Sequence, residues 1–112
     1  MSIKIIKGNP DKFVFLEFDK DTADTILKIC NENETIINIT LKITEAFDAT
    51  KTLSVGIPAD HEAFVSASDI DVEEVKITEH QQWYRWPSSK TLTLFSSGAS
   101  TTGAGQIFVE FL

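Results

Sequence analysis

Apolar and polar positions alternate with a period of two along most of this chain, and that rhythm predicts strands. It is cleanest at 35–44, where Ile37, Ile39, Leu41 and Ile43 fall on one face and Asn38, Thr40, Lys42 and Thr44 on the other. Such a pattern belongs to an antiparallel strand with one face in a core and the other in water. The stretch 52–57 alternates again, as does 91–94, where Leu92 and Leu94 interleave with Thr91 and Thr93. Near the end, Ile107, Val109 and Phe111 alternate with Gln106 and Glu110, so the last residues are expected to be tied into a sheet. The small residues between these two strands read as a hairpin connection, with glycines at 98 and 103 supplying positive φ angles.

The remaining pattern is less regular. A short apolar strand at 3–7 stops at the turn cluster Gly8, Asn9, Pro10. The run 12–18 is apolar on both faces, which predicts a central strand covered on both sides. Residues 25–30 read as a third strand, or as part of a short helix over 22–30 capped by Asp21 or Thr22. The rhythm breaks at 58–68, where Asp60 is predicted to cap a helical turn or two that press Phe64 into the core. Two more strands are expected at 70–78 and 80–86, the second ending at Pro87. Together these make about eight short strands at a spacing of about 8–12 residues, the signature of an all-β antiparallel sandwich. The expected core is Ile37, Ile39, Leu41, Ile43, Leu53, Val55, Leu92, Leu94, Ile107, Val109 and Phe111. Without long helices or strand–helix alternation, the nucleotide-binding α/β folds are excluded.

A length of 112 residues fits a single domain over 1–112, large enough to build a core without metals or disulfides. The formal net charge of -7, with ten scattered basic residues, argues against a nucleic-acid partner, because phosphate binding needs clustered Lys and Arg. Acidity also favours solubility at high local concentration. Cys30 is the only cysteine, so no intramolecular disulfide forms, and its apolar neighbours predict a small buried thiol. No apolar run approaches the roughly 20 residues that span a bilayer, and the first residues do not read as a signal peptide. The expectation is a protein folded in a reducing cytoplasm with no membrane partner.

Candidate chemistry is sparse. The spacing of Gly98 and Gly103 matches a phosphate-binding loop, but Ala104 and Gly105 stand where that motif needs Lys and Ser or Thr. The carboxylates Asp48, Asp60, Glu62, Asp69, Asp71, Glu73 and Glu74 lack the spacing of a calcium loop and read as solvated loop acids. His61, His80 and Cys30 show no zinc-ligand spacing, and no serine sits in a nucleophile-elbow motif. Neither a catalytic residue, a cofactor nor a metal site is therefore expected. The segment 81–87 stands apart, because it concentrates Trp83, Tyr84, Arg85 and Trp86. On a strand, Trp83 and Arg85 point one way and Tyr84 and Trp86 the other, so one pair belongs to the core and one to the surface or an interface. Trp, Tyr and Arg are the types enriched at interface hot spots. Flat aromatics also stack on sugars, so this segment is read three ways: as core and edge packing, as a subunit interface, or as a glycan platform.

Several strings carry a family resemblance. They are 43–56 (with Ala46, Phe47, Asp48 and then Thr52, Leu53, Val55, Gly56), 59–64, 67–71, the Thr–Leu repeat at 91–94, Thr102 with Gly103 and Gly105, and 107–111. Over 36–112 the chain resembles small virion structural proteins of tailed bacteriophages, of the head-decoration or head-fibre type. It departs from their pattern at Glu45 and at Ile57 with Pro58. The resemblance implies a jelly-roll sandwich, no catalysis, synthesis in the bacterial host cytoplasm and a place in the virion. It further implies a capsid decoration (cement) role, with the major capsid protein as partner and a homotrimer as the assembling unit. A glycan-binding or fibre adhesion module on the same sandwich is the alternative.

Overall fold

The computed structural model describes residues 4–6, 12–48 and 50–112. Nine strands are present among them: β1 (Lys4–Ile6), β2 (Phe13–Asp19), β3 (Thr25–Cys30), β4 (Thr35–Glu45), β5 (Thr52–Ile57), β6 (Asp60–Val65), β7 (Ile77–Arg85), β8 (Lys90–Ser97) and β9 (Ala104–Phe111). The turn expected at Gly8, Asn9 and Pro10 lies outside the described residues. One sheet has the order β1-β2-β9-β4-β7 and the other β3-β8-β5-β6, with every pairing antiparallel. From β2 onward, the chain passes to the opposite sheet at nearly every step, and only β5 and β6 are joined as a hairpin. This is a jelly-roll sandwich, with β1 as an added edge strand.

The core lies between the sheets, filled by the inward side chains of alternating strands. Leu16, Ile36, Ile39, Leu41, Ile43, Leu53, Val55, Leu92, Leu94, Ile107 and Val109 are nearly inaccessible to solvent. Each such side chain contributes about 1.5–3 kcal/mol relative to leaving it in water. Nine of the eleven expected core residues are among these, Phe111 is buried beside them, and the exception is Ile37. The pairing of β4 shifts register between Ile36 and Asn38 against both of its neighbours. This β-bulge reverses the inside–outside alternation, so Ile36 takes the core position and Ile37 becomes half-buried.

Other expectations are corrected by the topology. β2 is not covered on both sides: Val14, Leu16 and Phe18 face the core, while Phe13 and Phe15 are half-buried on the outer face. There Phe13 meets Phe108 at a centroid distance of 5.2 Å, and Phe15 pairs with Phe108 across the strands. The outer aromatic positions of β2 thus shelter one another instead of a second layer. Residues 60–65 are a strand rather than helical turns, because residues 58 and 59 close a tight hairpin from β5. The short helix among the described residues is a 3-10 turn at Ala67–Asp69. Residues 70–76 lie outside the strands: Ile70 and Val72 are buried from an irregular loop, held where the Phe47 N–H donates to the Val72 carbonyl at 2.8 Å. Period two there reflects a loop plugging the sandwich.

β8 and β9 do not form a hairpin. They belong to different sheets, and the loop between them crosses from one to the other. Gly98 and Gly103 do take positive φ, 81° and 134°. A Cβ on Gly103 would meet the Phe47 ring at 2.1 Å, so glycine is needed there on both counts. The loop's hydroxyls and amides are stitched to the segment after β4. The Asp48 N–H donates to Ser100 Oγ at 2.9 Å, and the Thr101 N–H donates to Asp48 Oδ1 at 3.1 Å. The Thr101 hydroxyl donates to Asp48 Oδ2, and the Thr102 hydroxyl to the Ala46 carbonyl at 3.0 Å. Hydrogen bonds from the Thr101 and Ser100 side chains and the Thr101 N–H hold the Asp48 carboxyl below its ordinary range.

Candidate interaction surface

Among the described residues β7 is an edge strand, paired to β4 alone. Its end carries the aromatic segment singled out by the sequence, and the structure separates the four residues. Trp86 follows the strand and is 1% exposed, pinned by its N–H donating to the Glu34 carbonyl and its carbonyl accepting from the Asn33 N–H, both at 2.8 Å. Its indole meets Tyr84 and Phe64 edge-on at 5.3 and 5.1 Å, and Phe64 meets Tyr84 at 5.3 Å. Tyr84 and Trp86 do share a side, as strand geometry requires, and Trp86 belongs to the core. Its burial removes one of the three rings a glycan platform would use. Trp86 Nε1 has no hydrogen-bond partner, so this indole is held by packing.

Tyr84 keeps 40% of its surface in solvent and Trp83 62%. Arg85 is exposed and donates to Asn33 Oδ1 at 2.6 Å, which fixes its guanidinium beside the turn before β4. Trp83 has a φ of 49°, in the left-handed region. For a bulky L-residue this is a strained conformation costing on the order of 1–3 kcal/mol. Its cause is visible in the register. Gln82 and Trp83 together oppose Ile37, since the pairing jumps from Asn38 with Gln81 to Ile36 with Tyr84. Opposite this bulge, β4 carries its own extra residue against β9, which rotates Ile37 out of the core, while Trp83 keeps the outward parity of Ile77, Glu79 and Gln81.

Two further apolar residues sit at the other end of this strand, Val75 and Ile77, each 61% exposed. The sequence reading missed them because it took 70–78 as a separate strand. The signal was present: Ile77 shares a parity with Glu79 and Gln81, so the face it occupies is wet. Of the large apolar side chains exposed among the described residues, Val75, Ile77, Trp83 and Tyr84 lie on or beside β7, and Ile26 and Ile29 on the edge strand β3.

The other candidate residues serve the fold. Asp60 Oδ1 accepts the Glu62 N–H at 3.1 Å, Glu62 Oε2 the Ala67 N–H at 2.6 Å, and Asp71 Oδ1 the Glu73 N–H at 3.0 Å. The Asp69 carboxylate accepts from Ser66 Oγ at 3.2 Å. No group of three or more His, Cys, Asp or Glu that could hold a metal exists among the described residues. His61 stacks on Phe95 at 3.8 Å, which covers that ring in the groove of about 420 Å³ between Asp24, Ser54 and Glu62. His80 lies 3.2 Å from the Thr78 hydroxyl. Cys30 is fully buried, and burial pushes its thiol up to about 12. Lys28 pairs with Glu34 and stands 4.5 Å over the Phe111 ring. Burial alone would raise the Glu34 carboxyl, but the Asn31 N–H and Lys28 bring it below its ordinary range.

No protein-family model matches this chain, and no curated protein matches it. Solved structures do. A chain in the acid-stable capsid structure of Helicobacter pylori bacteriophage KHP30 matches with a TM-score of 0.68 and 16% identity, over 98% of this chain and 92% of that one. A chain in the capsid asymmetric unit of cyanophage Pam1 matches with a TM-score of 0.61 and 13% identity, over 97% of this chain and 83% of that one. At these identities the shared property is the fold, and it runs nearly end to end in both.

Proposed function

We propose that this protein is a non-enzymatic structural subunit of a tailed-phage virion, a decoration subunit seated on the capsid shell with the major capsid protein as its partner. The observation that carries this reading is the end-to-end fold match to chains found in two phage capsid structures. The surface of the molecule supports it. Four of the seven exposed large apolar side chains among the described residues lie on or beside β7 at the open edge of one sheet, which suits a protein that acts through a face rather than a pocket.

A small subunit gains avidity by engaging several lattice points at once, and a closed ring uses one patch repeatedly. The subunit therefore assembles as a homotrimer before docking, with Trp83, Tyr84 and Arg85 in the contact and Trp86 supporting them from the core. Light scattering on the purified protein at micromolar concentration is expected to give a trimer mass. Trp83→Ala or Tyr84→Ala should shift it towards monomer while leaving the β-type circular dichroism unchanged. A wild-type monomer that still saturates shells in a co-sedimentation assay would remove the trimer and leave the shell as the partner. Failure to bind shells in any oligomeric state would overturn the decoration reading itself.

A further inference from the structure

The two sheets leave four edge strands, and three are blunted. β1 has three residues, β3 is bulged between Ile26 and Lys28, and β6 pairs irregularly with β5 between Val55 and Ile57. β7 is bulged as well, at Gln82 and Trp83, but its register against β4 runs unbroken over the five residues from Ile77 to Gln81, longer than any run on the other three edges. The direction of its backbone groups follows from one bond. The Ile43 N–H donates to the Lys76 carbonyl at 2.9 Å, which makes Ile43 and Lys76 a hydrogen-bonded pair. Bonded pairs alternate along an antiparallel ladder, so Thr78 and His80 turn their N–H and C=O groups toward β4. The N–H and C=O groups of Ile77, Glu79 and Gln81 then point to the open side of the sheet. A regular stretch of edge of this kind is a template for another strand.

We infer that β7 is a strand-addition site, and that its occupant is an extended segment of the shell protein with an apolar residue and a basic residue two positions apart on one face. This rests on the reading of the molecule as a shell-bound subunit. The chemistry of the occupant is set by what lines the edge. Ile77 and Glu79 point to the exposed face, and Val75 and Trp83 flank the free stretch. Asp71, Glu73 and Glu74 lie just before the strand, where Lys76 is the basic residue, within 3.9 Å of Asp71 and 3.8 Å of Glu74. A paired strand therefore meets an apolar residue at one position and a carboxylate two residues on. Lys or Arg opposite Glu79 is favoured, and an acidic residue there is not. A second copy of this chain is a poor occupant. The two-fold pairing that uses Ile77, Glu79 and Gln81 is centred on Glu79 and sets the two carboxylates directly opposite each other.

The test uses the full chain, isotope-labelled for amide exchange, with a synthetic valine–lysine peptide as long as the free edge, in which valine and lysine alternate on one face with threonines between them, and the same peptide with glutamate for lysine (the valine–glutamate peptide) as control. The valine–lysine peptide should slow exchange at Ile77, Glu79 and Gln81, and the control should not. Glu79→Pro deletes an open-side N–H without removing a bond to β4 and should weaken binding about tenfold, the equivalent of one lost hydrogen bond. Glu79→Lys, which keeps that N–H and reverses the charge, should weaken the valine–lysine peptide and admit the valine–glutamate one. Protection centred on β3, equal binding of both peptides, or protection of Ile77, Glu79 and Gln81 by self-association without peptide would each overturn the proposal. Co-sedimentation with shells separates it from the reading beneath it. If wild type and Glu79→Pro saturate shells equally, the edge is not used and the shell-bound reading stands. If wild type ignores shells yet takes the peptide at β7, the strand-addition site stands and the shell-bound reading falls.

Discussion

Ile37 and Trp83 face each other where β4 carries an extra residue against β9 and β7 an extra residue against β4. Parity along 35–44 places Ile37 with Ile39, Leu41 and Ile43, and only the extra residue in the ladder moves Ile36 into the core instead. Leu41→Asp should therefore unfold the protein, since an unpaired buried charge costs several kcal/mol, roughly the whole stability of a small domain. Ile37→Lys, at a half-buried position where the ammonium reaches water, should cost far less and leave the protein folded. Chemical denaturation of both variants checks the bulge, and equal damage would put Ile37 back inside. At Trp83 the backbone itself is strained. Trp83→Gly should leave stability within about 1 kcal/mol of wild type, strain relief offsetting the entropy of glycine. Trp83→Val should be less stable than the glycine variant, because a β-branched residue suits that conformation worst. Neither the bulge nor its strain was legible from residue types: Trp, unlike Gly or Asn, does not announce a left-handed backbone.

At the scale of elements, strands with one wet and one dry face were readable, and elements lacking that asymmetry were not. β4, β5, β8 and β9 follow their alternation closely. β6 escaped because residues 60–63 are exposed on both sides of an edge strand and hold no apolar rhythm. The loop 70–76 misled in the opposite sense, as Ile70 and Val72 bury two residues apart without any ladder. The exchange between β8 and β9 was hidden because glycines serve a sheet-to-sheet crossing as well as a hairpin. That crossing is fastened by Asp48, whose carboxyl and that of Glu34 both lie below their ordinary range. A depressed folded pKa stabilises above the unfolded value, about pH 4 for carboxylates, and the contribution is lost as pH falls through the folded value. Asp48→Ala should thus lower the melting temperature at pH 7, and the gap to wild type should narrow below about pH 4. Thermal melts across that range decide it, and a gap that widens in acid would contradict the assigned role of the Asp48 carboxylate.

For the whole molecule, the aromatic segment was legible as the place to look, because composition alone marks Trp83, Tyr84, Arg85 and Trp86. Its division between core and surface needed the fold, which sends Trp86 against Phe64 of the facing sheet. The open register of β7 likewise depends on strand order, which only the long-range pairing of β4 with both β7 and β9 establishes. On the proposed reading, fold, edge and acidic surface suit a subunit that coats a shell in many copies. Quantitative mass spectrometry of purified particles tests this most directly. The account predicts the protein in every particle, on the order of hundreds of copies and in fixed proportion to the major capsid protein, as a symmetric lattice requires. A handful of copies per particle, or none, would contradict it.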